Sequence, residues 1–136
     1  MAIPIITLLV TCVLIAIQVV LTALVIRARR RLQVAVGSEG SPELERSIRA
    51  HGNFTEMTPI FLIGLLLLEL VDSYLWWVAI LGVLFIIGRV LHARSLIVTE
   101  LKTGRYSQRV IGTMLSLTSL ALTGVSGVIW VVWNLV

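Results

Sequence analysis

From Ile3 to Ile26 only Thr7, Thr11, Gln18 and Thr22 interrupt an otherwise apolar run. A helix needs about 20 such residues to cross the hydrocarbon core of a bilayer, and inside lipid every backbone amide and carbonyl must find its partner within the segment. Further apolar stretches run from Pro59 to Leu68, from Tyr74 to Leu91 and from Val110 to Val136. With 58% hydrophobic residues in a chain of 136 and a mean hydropathy of +1.03, there is more apolar side chain than a soluble domain of this size hides. The expected fold is an all-α integral membrane protein, one four-transmembrane-helix bundle over 1–136. Its helices are expected at about 3–27, 42–71, 74–93 and 108–135. No internal repeat or low-complexity tract divides the chain. The first run has no basic leader and no small-residue cleavage site after it, so it is expected to be retained as a helix.

Punctuation supports these spans. Ser41 can cap the second helix, Pro42 suits its first turn, and Glu43 and Glu45 favour its positive end. Pro59 lacks an amide hydrogen and crowds the carbonyl of Thr55, which predicts a kink where the second helix turns from polar to apolar. Tyr74, Trp76 and Trp77 open the third span, Trp130 and Trp133 close the fourth, and such rings anchor helices at the headgroup level. The polar segment from Ala93 to Arg109 is expected to break at Gly104. All 11 Lys and Arg residues fall in or beside the first and third connections. The positive-inside rule places those connections in the cytoplasm and both termini outside. The net charge of +4 therefore reflects orientation, and no nucleic-acid partner is expected. Cys12 is the single cysteine; it excludes an intramolecular disulfide, and no metal site is expected.

On the polar half of the second helix Arg49, Asn53 and Glu56 are spaced four and three residues apart, so they share one face, with Arg46 a turn earlier. A guanidinium for a carboxylate, an amide that donates and accepts, and a carboxylate for an ammonium form a cradle for a zwitterionic peptide. The same spacing also suits an ion network that neutralises itself near the headgroups. Arg89 and His92 at the end of span three, and Arg109 at the start of span four, fall in the same membrane layer, where ionisable groups tend to face the bundle interior. Glu69 reads as interfacial. Gln18, the threonines of span one, Gly112, Gly124 and Gly127 read as helix-packing residues. Cys12 has no basic neighbour in its span to stabilise a thiolate.

The string from Glu45 to Pro59, with its Arg49-Ala50-x-x-Asn53-x-x-Glu56-x-x-Pro59 spacing, resembles the signature of the MAPEG family, the membrane-associated proteins of eicosanoid and glutathione metabolism. Arg29-Arg30 after span one, Gly88-Arg89-Val90-x-His92 in span three and an arginine opening span four agree in outline. The resemblance implies a homotrimer of four-helix subunits. It places glutathione, the cosubstrate, between neighbouring subunits at the cytoplasmic side, with a lipophilic small molecule entering from the lipid bilayer. Arg49, Asn53 and Glu56 match the family's glutathione contacts, and Arg30 matches a basic residue that touches the tripeptide in some members. Arg89 and His92 match polar positions of the same pocket. The thiol-activating arginine is matched by Arg109, with Arg105 as the competing candidate. Met57 and Leu96 stand where the eicosanoid-forming members carry tyrosines, which turns the resemblance away from leukotriene or prostaglandin synthesis and toward bacterial inner-membrane members.

The function this implies is a glutathione-dependent transferase or peroxidase acting on a lipophilic electrophile. Two other classes are carried beside it. One is a non-catalytic membrane binding or structural module of the same fold. The other is a small proton-coupled exporter, which would have to use Glu69.

Overall fold

The computed structural model describes residues 3–135. The ends of the 1–136 span, Met1, Ala2 and Val136, and with them the side on which the termini emerge, lie outside the described residues. Helix α1 spans Ile5–Leu32, α2 Pro42–Leu70 and α3 Leu75–Arg94. A π-helical turn at Ser95–Thr99 carries α3 into a short α4, Glu100–Thr103, and α5 spans Ser107–Leu135. Counting α3 to α4 as one rod, four helices are long and apolar enough to cross a membrane, and no strand occurs among the described residues.

Two boundaries differ from those expected. Helix α1 continues five residues past 27, through Arg29, Arg30 and Arg31, because arginine and leucine are good helix formers once lipid no longer limits the length. It ends where Gln33 turns left-handed and Arg29 donates to the carbonyls of Ala35 (3.2 Å) and Gly37 (3.1 Å). The segment expected to be a connection after residue 93 is helical as far as Thr103; the break falls at Gly104, whose φ of +67° a glycine adopts without strain. Ser41 accepts from the Leu44 amide at 3.4 Å to cap α2, which then runs unbroken through Pro59 to Leu70.

The bundle has the membrane pattern. Leu8, Val19, Ile63 and Val128 are each more than half exposed and present an apolar surface to lipid. Leu14, Phe61, Leu65, Leu81 and Phe85 fill the interior, where the Phe61 and Phe85 rings stack at 3.9 Å between centroids. Helix α5 buries Gly112, Ser116, Ser119 and Thr123, a small-residue seam recurring at helical spacing. Through that seam α5 packs closely on α3: Ser119 donates to the Leu81 carbonyl at 2.7 Å, and a Cβ added at Gly112 would lie 2.6 Å from the backbone nitrogen of His92. The expected packing role of Gly112 is thus visible. Gly124 and Gly127 have open space beside them.

Glu69, expected at the interface, lies in the last turn of α2 and is turned inward. It is 2% exposed, and its two carboxylate oxygens accept from the backbone amides of Ile6 (2.9 Å) and Thr7 (2.7 Å). The first amides of a helix lack intrahelical partners. Helix α2 thereby supplies, from its last turn, the cap that α1 lacks in its own sequence, since Pro4 makes no side-chain cap.

Candidate functional site

The polar half of α2 faces the start of α5 and the end of α3 across a cleft of about 580 Å³. Arg49, Gly52, Asn53 and Glu56 line it from α2, His92 from α3, and Arg109 from the first turn of α5. The i, i+4, i+7 spacing on α2 puts three of these groups on successive turns, and the close α3–α5 contact at Gly112 brings His92 beside Arg109. Arg49 and Arg109 therefore share one cavity.

The charges here are held with unequal firmness. Arg49 reaches Glu45 from Nε (3.2 Å) and Nη2 (3.1 Å), but both side chains are more than half exposed, so the pair contributes little and is readily exchanged. Glu56 is exposed and has no ion partner among the described residues. Arg109 donates to Glu100 Oε2 at 3.2 Å, and Arg46 donates to the same oxygen at 3.3 Å. Glu100 Oε1 accepts from Ser95 at 3.2 Å, so a buried carboxylate from α4 ties together α2, the π-turn and α5. His92 shares a 3.0 Å hydrogen bond with Thr113 through Nδ1.

Arg89 is behind the cleft rather than in its lining. It is 1% exposed, donates from Nη1 to Asn53 Oδ1 at 2.6 Å and from Nε to Ser116 at 2.9 Å, and lies 5.6 Å from the Phe85 ring centroid. A guanidinium only donates, so the Asn53 carbonyl oxygen must face it and the Asn53 amide nitrogen must point the other way. Arg89 thus sets which end of Asn53 the cleft receives. These bonds and the aromatic face offset part of the desolvation of the charge, while Nη2 has no hydrogen-bond partner among the described residues.

The remaining candidates fall elsewhere. Arg30 lines a separate cleft of about 530 Å³ between α1, α2 and the end of the third rod, with Arg27, Arg31, Glu43, Ser47 and Leu101. There Arg31 pairs with Glu43. Arg105 follows the Gly104 break, is exposed and lines neither cleft. Sequence reasoning missed Glu100, because the stretch around it reads as a polar connection. The available signal was its spacing from Ser95, which a π-turn brings onto one side.

Fold and cleft together define a helical integral membrane protein with a charged pocket at the basic end of its bundle. The MAPEG family model matches residues 7–129, and the chain belongs to that family. Among individual proteins it is similar to the inner membrane protein YecN of Escherichia coli strain K12 and of E. coli O6:H1 strain CFT073. Each is 38% identical over 68 residues, half of this chain and 52% of the relative. The match thus spans about half the length of these relatives.

Proposed function

We propose that this protein is an inner-membrane, glutathione-dependent transferase-like enzyme that joins the tripeptide's thiol to a lipophilic electrophile drawn from the bilayer. The observation that carries it is the convergence of Arg49, Asn53, Glu56 and Arg109 on one cleft. Its volume lies within the roughly 300–1,000 Å³ usual for small-molecule sites. The donor set fits the ligand: Arg49 can leave its exposed partner for a carboxylate, Glu56 is free for the α-ammonium, and the Asn53 amide hydrogens are aimed by Arg89. Arg30 lies in a different cleft of the same chain, so its part in glutathione binding requires a neighbouring copy, as a trimer would supply. The inner-membrane setting is carried over from the YecN relatives, which are inner membrane proteins.

The chemistry follows from charge. A thiol near neutral pH is mostly protonated, and a guanidinium within about 4 Å favours the anion by an amount that grows as water is excluded. Each unit by which the thiol pKa falls is about 1.4 kcal/mol. Arg109 would supply that charge while the α2 groups hold the peptide in place. The thiolate would then form the carbon–sulfur bond as the leaving group departs with its electron pair, and the thiol proton would pass to water.

Glutathione binding and thiolate absorbance in detergent test this assignment. Arg49→Ala should weaken binding about tenfold, as expected for loss of a charge-assisted pair. Arg109→Ala should mainly raise the pH at which the thiolate forms. Unchanged binding and absorbance in both variants would remove the assignment. A second function, binding without turnover, is favoured by the Glu100 contact, which compensates the charge of Arg109. Conjugate formed from an activated aryl halide, or alcohol from a lipid hydroperoxide, above background separates the two. The proton-coupled exporter loses its acid, since both oxygens of Glu69 are engaged by α1.

A further inference from the structure

At the end of the bundle opposite the basic layer, a third cavity, of about 420 Å³, opens between the start of α3 and the end of α5. Asp72, Tyr74, Trp77, Trp130 and Trp133 line it, with Ser126 between them. We propose that this cleft binds the ammonium group of a membrane lipid headgroup.

Three observations support the assignment. The first is charge. Every Lys and Arg of the chain lies in residues 27–49 or 89–109, so the nearest in sequence to Trp77, Arg89, is about 18 Å away along the helix axis. Asp72 has no ion partner among the described residues, and Glu69, the other acid at this end, is engaged by the α1 amides. Among the described residues the cleft therefore offers a carboxylate and π-faces with no Lys or Arg beside them, a combination complementary to an ammonium.

The second is geometry. An aromatic anchor needs only a ring at the headgroup level, and Trp76, outside the cleft and 61% exposed, meets that need. The four rings of the cleft instead border one concavity. Trp77 is fixed there by donating its indole N–H to Ser126 at 2.9 Å and by an edge contact with Trp76 at 5.8 Å. The backbone presents Asp72 at the rim: its amide donates to the Glu69 carbonyl and the Ser73 amide to that of Leu68, both at 3.2 Å. The third is depth. The cleft lies where two membrane-spanning helices end, the layer in which lipid headgroups reside.

All four tryptophans of the chain are at this end, so intrinsic fluorescence reports on it and not on the arginine layer. The test is quenching of the purified protein in mixed micelles by phosphatidylethanolamine with brominated acyl chains, against phosphatidylglycerol with the same chains. Half-maximal quenching is expected at a mole fraction about fivefold lower for phosphatidylethanolamine, a difference of the size that cation–π and carboxylate contacts give. Asp72→Asn and Trp133→Ala should each abolish that preference, and Trp133→Phe should retain it. Asp72 and Trp133 are both exposed, so neither change disturbs the core. Equal quenching by the two lipids, or an Asp72→Asn protein with the preference intact, would overturn the proposal. So would relief of quenching by free ethanolamine at the lipid's own concentration, which would make the ligand a soluble amine.

Discussion

Glu100 accepts hydrogen bonds from arginines of two different helices, Arg46 and Arg109, and its side chain is only 8% exposed. A carboxylate in that position does two things at once. It fixes the guanidinium of Arg109 in the cleft, and it cancels part of the positive potential that a bound thiolate would feel. Replacing it by glutamine keeps the shape and removes the charge. Two half-exposed arginines then lose their counterion, and Glu100→Gln should cost about 2 kcal/mol, less than a fully buried pair because water still reaches Arg46 and Arg109. Thermal unfolding in detergent reads that loss. In the same variant the uncompensated Arg109 should lower the pH at which bound glutathione ionises. A midpoint left unchanged would show that Glu100 has no electrostatic hold on the thiol.

Helix α1 is a long apolar rod whose first amides would be orphaned in lipid, and Glu69 of α2 satisfies two of them. Glutamine offers one carbonyl oxygen, while its amide hydrogens would face an N–H that also donates. Glu69→Gln should therefore lose about 1–3 kcal/mol through one unsatisfied amide, with faster hydrogen exchange confined to the start of α1. Loss of protection spread evenly over the bundle would contradict the capping role. The α3–α5 pair is the firmest of the helix contacts for the complementary reason: glycine and serine let backbones approach, and each buried serine closes its own hydrogen bond, Ser116 on Gly112 and Ser119 on Leu81.

Considered as one molecule, the bundle leaves polar groups where lipid would be expected. Gln18, Thr22, His51 and Thr55 form a linked network between α1 and α2, with Gln18 Nε2 2.8 Å from His51 Nε2, and Thr55 exposed. Exposed polar side chains within a span are costly unless protein covers them. A neighbouring copy on this face would cover them, and the proposed trimer, in which Arg30 reaches the cleft from the next subunit, would supply one. Subunit mixing tests that arrangement. Arg30→Ala and Arg49→Ala proteins should each bind glutathione about tenfold more weakly alone, yet co-assembled in equal amounts they should recover full affinity at about a quarter of the sites, those where intact Arg30 meets intact Arg49. No recovery would mean that Arg30 and Arg49 do not meet across an interface.

The four spans and their basic end were legible in the residues, because bilayer thickness and the cost of unsatisfied backbone leave a long apolar run no other fold. So was the shared face of Arg49, Asn53 and Glu56, which helical periodicity dictates locally. Only the packed bundle decided the rest. Arg89 became a buried support for Asn53, Arg30 was sent to a separate cleft, Glu69 capped α1 from 62 residues away, and Glu100 took hold of Arg109. Each of these depends on which helices are neighbours and how they are rotated, a choice made by the close approach of α3 and α5 and by hydrogen bonds between distant residues.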